Sequence, residues 1–257
     1  MRFIFIILPI LLSISACVTS ETNLSTNKIK SEFDPKAAAN TRVKLALVYL
    51  KENQMQAAKE NLDKALEYQP KNSDIYRFYA YYYEQVKETD KAESFYKKSI
   101  SLDSENGDTY HYYGTFLCRK GDYKEAEEVF LKAVKLPNYT NVSNSYRNAA
   151  ICAEEAGDNE KAIYYYQYAL SHSPNSTAIN LSLAKLNITE KNYTEAQRNL
   201  FKFVSTSGQT AESLWQWIRL SYATGKQASL DKYSRDLLQK FPDSQQALNY
   251  LNNEFYE

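Results

Sequence analysis

A repeat with a period of 34 residues is the feature that most constrains the fold of this chain. Small residues recur with spacings of 34, 34, 36 and 34 residues at Ala58, Ala92, Ala126, Ala162 and Ala196. A large apolar residue follows each of them four positions later. Repeats of about 20–50 residues are typical of solenoids, whose units bury their apolar faces only against their neighbours.

A second set of small residues predicts a partner helix in each unit. It keeps the register of the first set, at Ala46, Ala80, Gly114, Ala150 and Ala184. Two antiparallel helices approach closely where small residues lie at their crossing. Proline, which cannot continue a helix, tends to end the units, at Pro70, Pro137, Pro174 and Pro242. The chain is therefore predicted to be a series of helix pairs, and its content of only six Gly and six Pro agrees.

This pattern resembles the tetratricopeptide-repeat family. The resemblance implies an all-α, right-handed superhelical solenoid of about six repeats plus a C-terminal capping helix, within residues 39–257. The predicted repeats are 39–72, 73–106, 107–142, 143–176, 177–210 and 211–244. The sixth is degenerate, because Leu230 replaces the small residue of its second helix. Residues 245–255 are predicted as the last helix, which closes the stack with Leu248, Leu251 and Phe255.

The first residues of the chain have the pattern of a bacterial lipoprotein signal. The apolar run at 3–14 is too short to span a bilayer as a mature helix and is typical of a signal peptide. The run ends in Ile14-Ser15-Ala16-Cys17, which resembles the sequence that is cleaved before a lipidated cysteine. Residues 1–16 are thus predicted to be removed and Cys17 to carry N-acyl and S-diacylglycerol chains. The alternative is an ordinary secretory signal with an unmodified cysteine.

The residues after Cys17 predict where the protein resides. Val18, and not Asp, follows the cysteine, which by resemblance to sorted lipoproteins favours the outer membrane. Residues 17–38 are rich in Ser, Thr, Asn and Lys, and they are predicted to form a flexible tether that reaches roughly 25 Å. The folded part is therefore expected to be anchored to the outer membrane by lipid and to face the periplasm.

Two further cysteines, Cys118 and Cys152, fall in the first helices of consecutive repeats. Those helices pack side by side and the periplasm is oxidising, so a disulfide is plausible. It would stabilise the fold by about 3–4 kcal/mol on a chain-entropy argument. The alternative is a pair of buried thiols. A metal site is not expected, because His111 is the only histidine nearby.

Charge and motifs exclude several classes of function. Lys plus Arg and Asp plus Glu each number 31, so no global basic surface is available to nucleic acid. The chain contains no Gly-rich phosphate loop, zincin motif or nucleophile elbow. The prediction is a protein that is not an enzyme, with no small-molecule substrate and no cofactor beyond the lipid on Cys17. An enzyme without a recognisable motif stays as an alternative.

A groove formed by the first helices is the predicted binding surface. Tyr and Arg provide large contact areas at modest ordering cost, which suits a peptide interface. The residues predicted on its open side are Asn40, Val43, Leu47, Asp74, Arg77, Tyr81, His111, Thr115, Asn144, Arg147 and Ile151.

A more specific resemblance covers nearly the whole mature chain. The segment 113–118 (YGTFLC), the enlarged third repeat with Pro137 and Tyr139, and the segment 146–152 (YRNAAIC) resemble the PilF/PilW family of type IV pilus biogenesis lipoproteins. The resemblance implies a pilotin, which binds a subunit of the pilus secretin and promotes its multimerisation in the outer membrane. The alternative is a repeat scaffold of another envelope machine, for outer-membrane protein assembly or peptidoglycan-synthase regulation.

Overall fold

The computed structural model describes residues 33–256, and every regular element in that range is a helix. Six antiparallel pairs follow one another: α1 (Pro35–Lys51) with α2 (Met55–Tyr68), α3 (Ser73–Gln85) with α4 (Thr89–Leu102), α5 (Gly107–Lys120) with α6 (Tyr123–Lys135), α7 (Val142–Glu155) with α8 (Asn159–His172), α9 (Thr177–Thr189) with α10 (Tyr193–Ser207), and α11 (Ala211–Ala223) with α12 (Gln227–Lys240). The predicted all-α solenoid is confirmed. Helix α1 begins within the segment that was predicted to be tether.

The small residues that set the period lie where the paired helices cross. Ala58, Ala92 and Ala126 are completely buried, as are their equivalents Ala162 and Ala196. Gly114 lies opposite Phe130, and a Cβ atom at this glycine would come within 2.9 Å of the Phe130 ring. Because the Phe130 side chain is itself buried, the glycine permits an approach that alanine would obstruct.

The turn inside each helix pair uses a left-handed backbone conformation. It recurs at equivalent positions, with φ between 59° and 90°, at Asn53, Lys87, Gly121, Gly157, Lys191 and Gly225. Glycine adopts this conformation without a Cβ penalty, whereas lysine does not. The repeat packing therefore imposes this backbone conformation on Lys87 and Lys191, which do not favour it.

The two additional residues of the third repeat form a structured turn between α6 and α7. The ring of Tyr139 packs directly against Gly107, at a position where a Cβ atom would collide with it. The hydroxyl group of Tyr139 forms a hydrogen bond with Ser145 Oγ at 2.7 Å. The turn is therefore fixed to the first helices of both repeat 3 and repeat 4.

The end of the solenoid differs from the sequence-based expectation. Helix α13 (Gln245–Leu251) is followed by a short 3-10 helix (Glu254–Tyr256). Ala247 and Phe255 are buried against α11, but Leu248 is 49% exposed and Leu251 is 61% exposed. The prediction that these two leucines close the stack is wrong, because α13 presents Ala247 to its neighbours and the chain then turns to insert Phe255.

Candidate docking groove on the first helices

The predicted groove residues divide into three groups by exposure. The exposed group contains Asn40, Tyr81, Asn144 and Ile151, and the half-buried group contains Leu47, Asp74, Arg77, Thr115 and Arg147. Val43 and His111 are buried, so their predicted place on the open side is wrong. Val43 belongs to the core that α1 shares with α2 and α3.

An apolar cavity of about 290 Å³ lies among α1, α3, α4 and α5. It is lined by Leu47, Arg77, Phe78, Tyr81, Tyr96 and Tyr112. Tyr81 is 37% exposed and Tyr112 is 44% exposed, so their rings border the opening. The groove prediction omitted Phe78 and Tyr112. These residues are separated by the repeat period of 34 and directly follow Arg77 and His111, so the repeat register could have identified them.

Arg77 forms one wall of this cavity. Its guanidinium carbon lies 4.4 Å from the centre of the Phe78 ring and 5.0 Å from the centre of the Tyr112 ring. The same guanidinium donates a hydrogen bond to Asp74 at 2.9 Å. Cation–π contacts hold a cation on aromatic faces. Arg77 therefore positions Phe78 and Tyr112 as two sides of one apolar depression.

His111 joins repeats 3 and 4 and does not face the groove opening. Its Nδ1 atom lies 2.8 Å from Ser145 Oγ, which also contacts the Tyr139 hydroxyl group. Burial is the main cause of a lowered pKa for His111. The negative charge of Asp108 opposes this shift, and the positive charges of Arg147 and Arg77 add to it. We infer that His111 is neutral at pH 7 and holds the helices together.

Arg147 lies beside His111 on the next first helix. Its side chain is half-buried, and its Nε atom is buried without a hydrogen-bond partner. Nearby, Asn148 donates a hydrogen bond to Thr115 Oγ1 at 3.2 Å, which ties α7 to α5. The exposed Ile151 lies one turn farther along α7. The groove thus continues from the apolar cavity to a positively charged position in repeat 4.

Cys118 and Cys152 lie on adjacent first helices, as their positions in consecutive repeats predict. The Cα atoms of Cys118 and Cys152 are 5.6 Å apart, and their sulfur atoms face each other. This separation is within the range of protein disulfides. Both side chains are buried. The packing of α5 against α7 therefore brings the two thiols together without any displacement of the backbone.

Residues 1–16, Cys17 and most of the predicted tether lie outside the described residues. Within residues 33–256, no helix has both the length and the apolar character needed to cross a membrane. In the same part of the chain, His, Cys, Asp and Glu side chains form no group of three that could hold a metal ion.

Comparison with protein families agrees with this architecture. Tetratricopeptide-repeat families match residues 43–107, 105–175 and 153–201, and these ranges together span more than half of the chain. The protein is a tetratricopeptide-repeat protein.

Individual relatives narrow the assignment. The type IV pilus assembly protein PilF of Pseudomonas aeruginosa is 26% identical over 231 residues, which cover 90% of each chain. The solved structure of Pseudomonas aeruginosa PilF has a TM-score of 0.70 at 26% identity and covers 85% of this chain and 99% of that chain. PilW, described as a widely conserved type IV pilus biogenesis factor, shares the fold with a TM-score of 0.70 at 24% identity, over 83% of this chain and 98% of that chain. The predicted resemblance is confirmed, and the similarity supports a tetratricopeptide-repeat protein of type IV pilus biogenesis.

Proposed function

We propose that this protein is a pilotin: an outer-membrane lipoprotein that binds a subunit of the type IV pilus secretin and promotes its multimerisation. The similarity to PilF over 90% of both chains is the observation that carries the proposal. The Ile14-Ser15-Ala16-Cys17 sequence supports lipidation, and a lipid anchor would place the protein at the membrane where the ring forms.

The groove supports a scaffold role and not a catalytic one. Its open side combines exposed aromatic and aliphatic side chains, such as Tyr81, Tyr112 and Ile151, with half-buried arginines. Such surfaces contribute affinity when a partner covers them and excludes water. The lipid anchor and the groove act together, because tethering to the membrane raises the effective concentration of captured subunits there.

Secretin assembly in cells tests this proposal. Membranes from wild-type and deletion strains are fractionated, and secretin is followed as heat-resistant multimer and as monomer. We expect loss of multimer from the outer membrane in the deletion strain and recovery with the wild-type gene. Cys17→Ala should fail to restore it although the protein accumulates. Accumulation is checked by immunoblot.

Unchanged multimer in the deletion strain would reject a pilotin role. Envelope-stress phenotypes or altered peptidoglycan in that strain, with normal pili, would instead indicate a scaffold of outer-membrane protein assembly or of peptidoglycan synthesis. Full complementation by Cys17→Ala would reject the need for lipidation while leaving secretin binding intact.

A further inference from the structure

Arg147 carries a positive charge that no other described side chain neutralises. Within residues 33–256, no carboxylate lies at ion-pair distance from its guanidinium, and its buried Nε atom has no acceptor. Arg77, at the equivalent position of repeat 2, also has a buried Nε atom without an acceptor, but its guanidinium pairs with Asp74 and lies against two aromatic rings. The two arginines therefore differ: Arg77 builds the wall of the groove, and Arg147 is available.

The residues around Arg147 supply no ion-pair partner for this charge. The neighbouring His111 is inferred to be neutral, and it already contacts Ser145. Asp108, at the start of α5, is close enough to affect the pKa of His111, but it belongs to none of the ion pairs of the described residues. A partly desolvated guanidinium without a partner is unfavourable, and a carboxylate that reaches it forms a strong charge-assisted hydrogen bond.

The distance from Arg147 to the apolar cavity sets a spacing for the partner. Half of the residues that line the cavity lie on α3, and α3, α5 and α7 pack consecutively. Packed helix axes lie about 8–10 Å apart, so two steps span about 16–20 Å. An extended segment rises about 3.3 Å per residue and covers this span with about five or six residues.

We propose that the groove selects an extended protein segment with a large apolar side chain, which fills the cavity bordered by Tyr81 and Tyr112, and a carboxylate about five or six residues away, which binds Arg147. This inference rests on the proposed docking function and adds the chemistry of the partner. Asn148 and Thr115 hold α7 against α5, so the spacing between the two subsites is built into the repeat packing.

A random peptide library tests this chemistry without assuming the identity of the partner. Displayed 12-residue peptides are selected on the full chain purified in detergent. Selected sequences are then synthesised with each Asp or Glu changed to Asn or Gln, and their affinities are measured by fluorescence anisotropy. We expect selected peptides to share an apolar and an acidic residue at this spacing, and amide replacement to weaken binding about tenfold.

Two arginine variants assign the effect to the groove. Arg147→Gln should abolish the difference between acid and amide peptides, because the charge that recognises the carboxylate is gone. Arg198→Gln is the matched control, since Arg198 is exposed on α10 and pairs with Glu195. This control should retain the tenfold difference. Equal binding of acid and amide peptides by the wild type, or discrimination that persists in Arg147→Gln, would overturn the inference.

Overlapping peptides of the pilus secretin separate this inference from the proposed function. In one outcome, library peptides bind in a manner that depends on their carboxylate, but no secretin peptide binds and folded secretin does not bind. This outcome would support the selection of a carboxylate by the groove and reject the secretin as partner. A secretin segment that binds the groove equally well in its acid and amide forms would support the secretin as partner and reject the selection of a carboxylate by Arg147. Failure of all peptides to bind would overturn the inference.

Discussion

The guanidinium of Arg77 lies 5.0 Å from the centre of the Tyr112 ring, and this contact joins the first helices of repeats 2 and 3 at the wall of the groove. Arg77 also lies over Phe78 and is held by Asp74. Contacts within the protein therefore hold the groove wall in place before a partner binds. This lowers the loss of side-chain conformational entropy on binding.

Tyr112 is expected to contribute more to partner binding than to stability. Tyr112→Ala should weaken binding of the secretin subunit by about 2 kcal/mol, or roughly thirtyfold in Kd, because the ring borders the cavity that an apolar anchor would fill. Tyr164→Ala is the control: Tyr164 is similarly exposed, on the second helix α8. Calorimetric titration measures both variants. Equal weakening by the two substitutions would argue against the groove as the docking surface.

We expect Cys118 and Cys152 to form a disulfide, and the stability of the protein should then depend on redox state. Their sequence separation is 34 residues, and closing such a loop should stabilise the native state by about 3–4 kcal/mol on a chain-entropy argument. Reductant is therefore expected to lower the urea midpoint of the wild type and not that of a Cys118→Ala/Cys152→Ala variant. If iodoacetamide labels both residues in the denatured, unreduced chain, the disulfide is absent.

Burial of His111 predicts loss of stability at mildly acidic pH. Its folded-state pKa is lowered from 6.5, so the unfolded chain binds more protons below about pH 6.5. The contribution of His111 to the free energy of unfolding is thus complete above that pH and declines as the pH falls through it. Urea titrations at pH 7.5 and 5.5 should show a smaller decline for His111→Gln than for the wild type.

The second histidine provides the control for this pH effect. His172 is exposed at the end of α8, where its ring stacks on Tyr146 at a centroid distance of 5.9 Å. The same urea titrations on His172→Gln separate the contribution of His111 from that of the second histidine. An unaltered decline in His111→Gln would show that other groups cause it.

The turn at Lys87 predicts a substitution that stabilises the fold. Lys87 has φ of 61°, a conformation that disfavours residues with a Cβ atom. Lys87→Gly should raise the free energy of unfolding by roughly 0.5–1 kcal/mol, after allowance for the greater freedom of glycine in the unfolded chain. Lys98→Gly, at an exposed position within α4, should lower it by about 1 kcal/mol. Destabilisation by both would contradict this account of the turn.

The sequence by itself determined the helix pairs and the register of the groove. Small residues spaced by 34 identify the helix crossings, because only such residues permit close approach at every turn of the solenoid. The same register correctly brought Cys118 and Cys152 onto adjacent helices. In a repeat fold, residues that are one period apart in the sequence occupy equivalent positions in successive repeats, so their spacing can be converted directly into positions in the structure.

Only the tertiary structure decided which groove positions stay open. His111 and Arg147 occupy equivalent positions, yet His111 is covered because the enlarged turn brings Tyr139 and Ser145 together beside it. Leu248 and Leu251 are apolar, as residues that cover the end of a solenoid should be. Helix α13 nevertheless directs Ala247 inward, and the two leucines are exposed. The burial of a residue depends on which side chains of the neighbouring helices pack against it. The repeat spacing gives the position of the residue on its helix but does not specify those contacts.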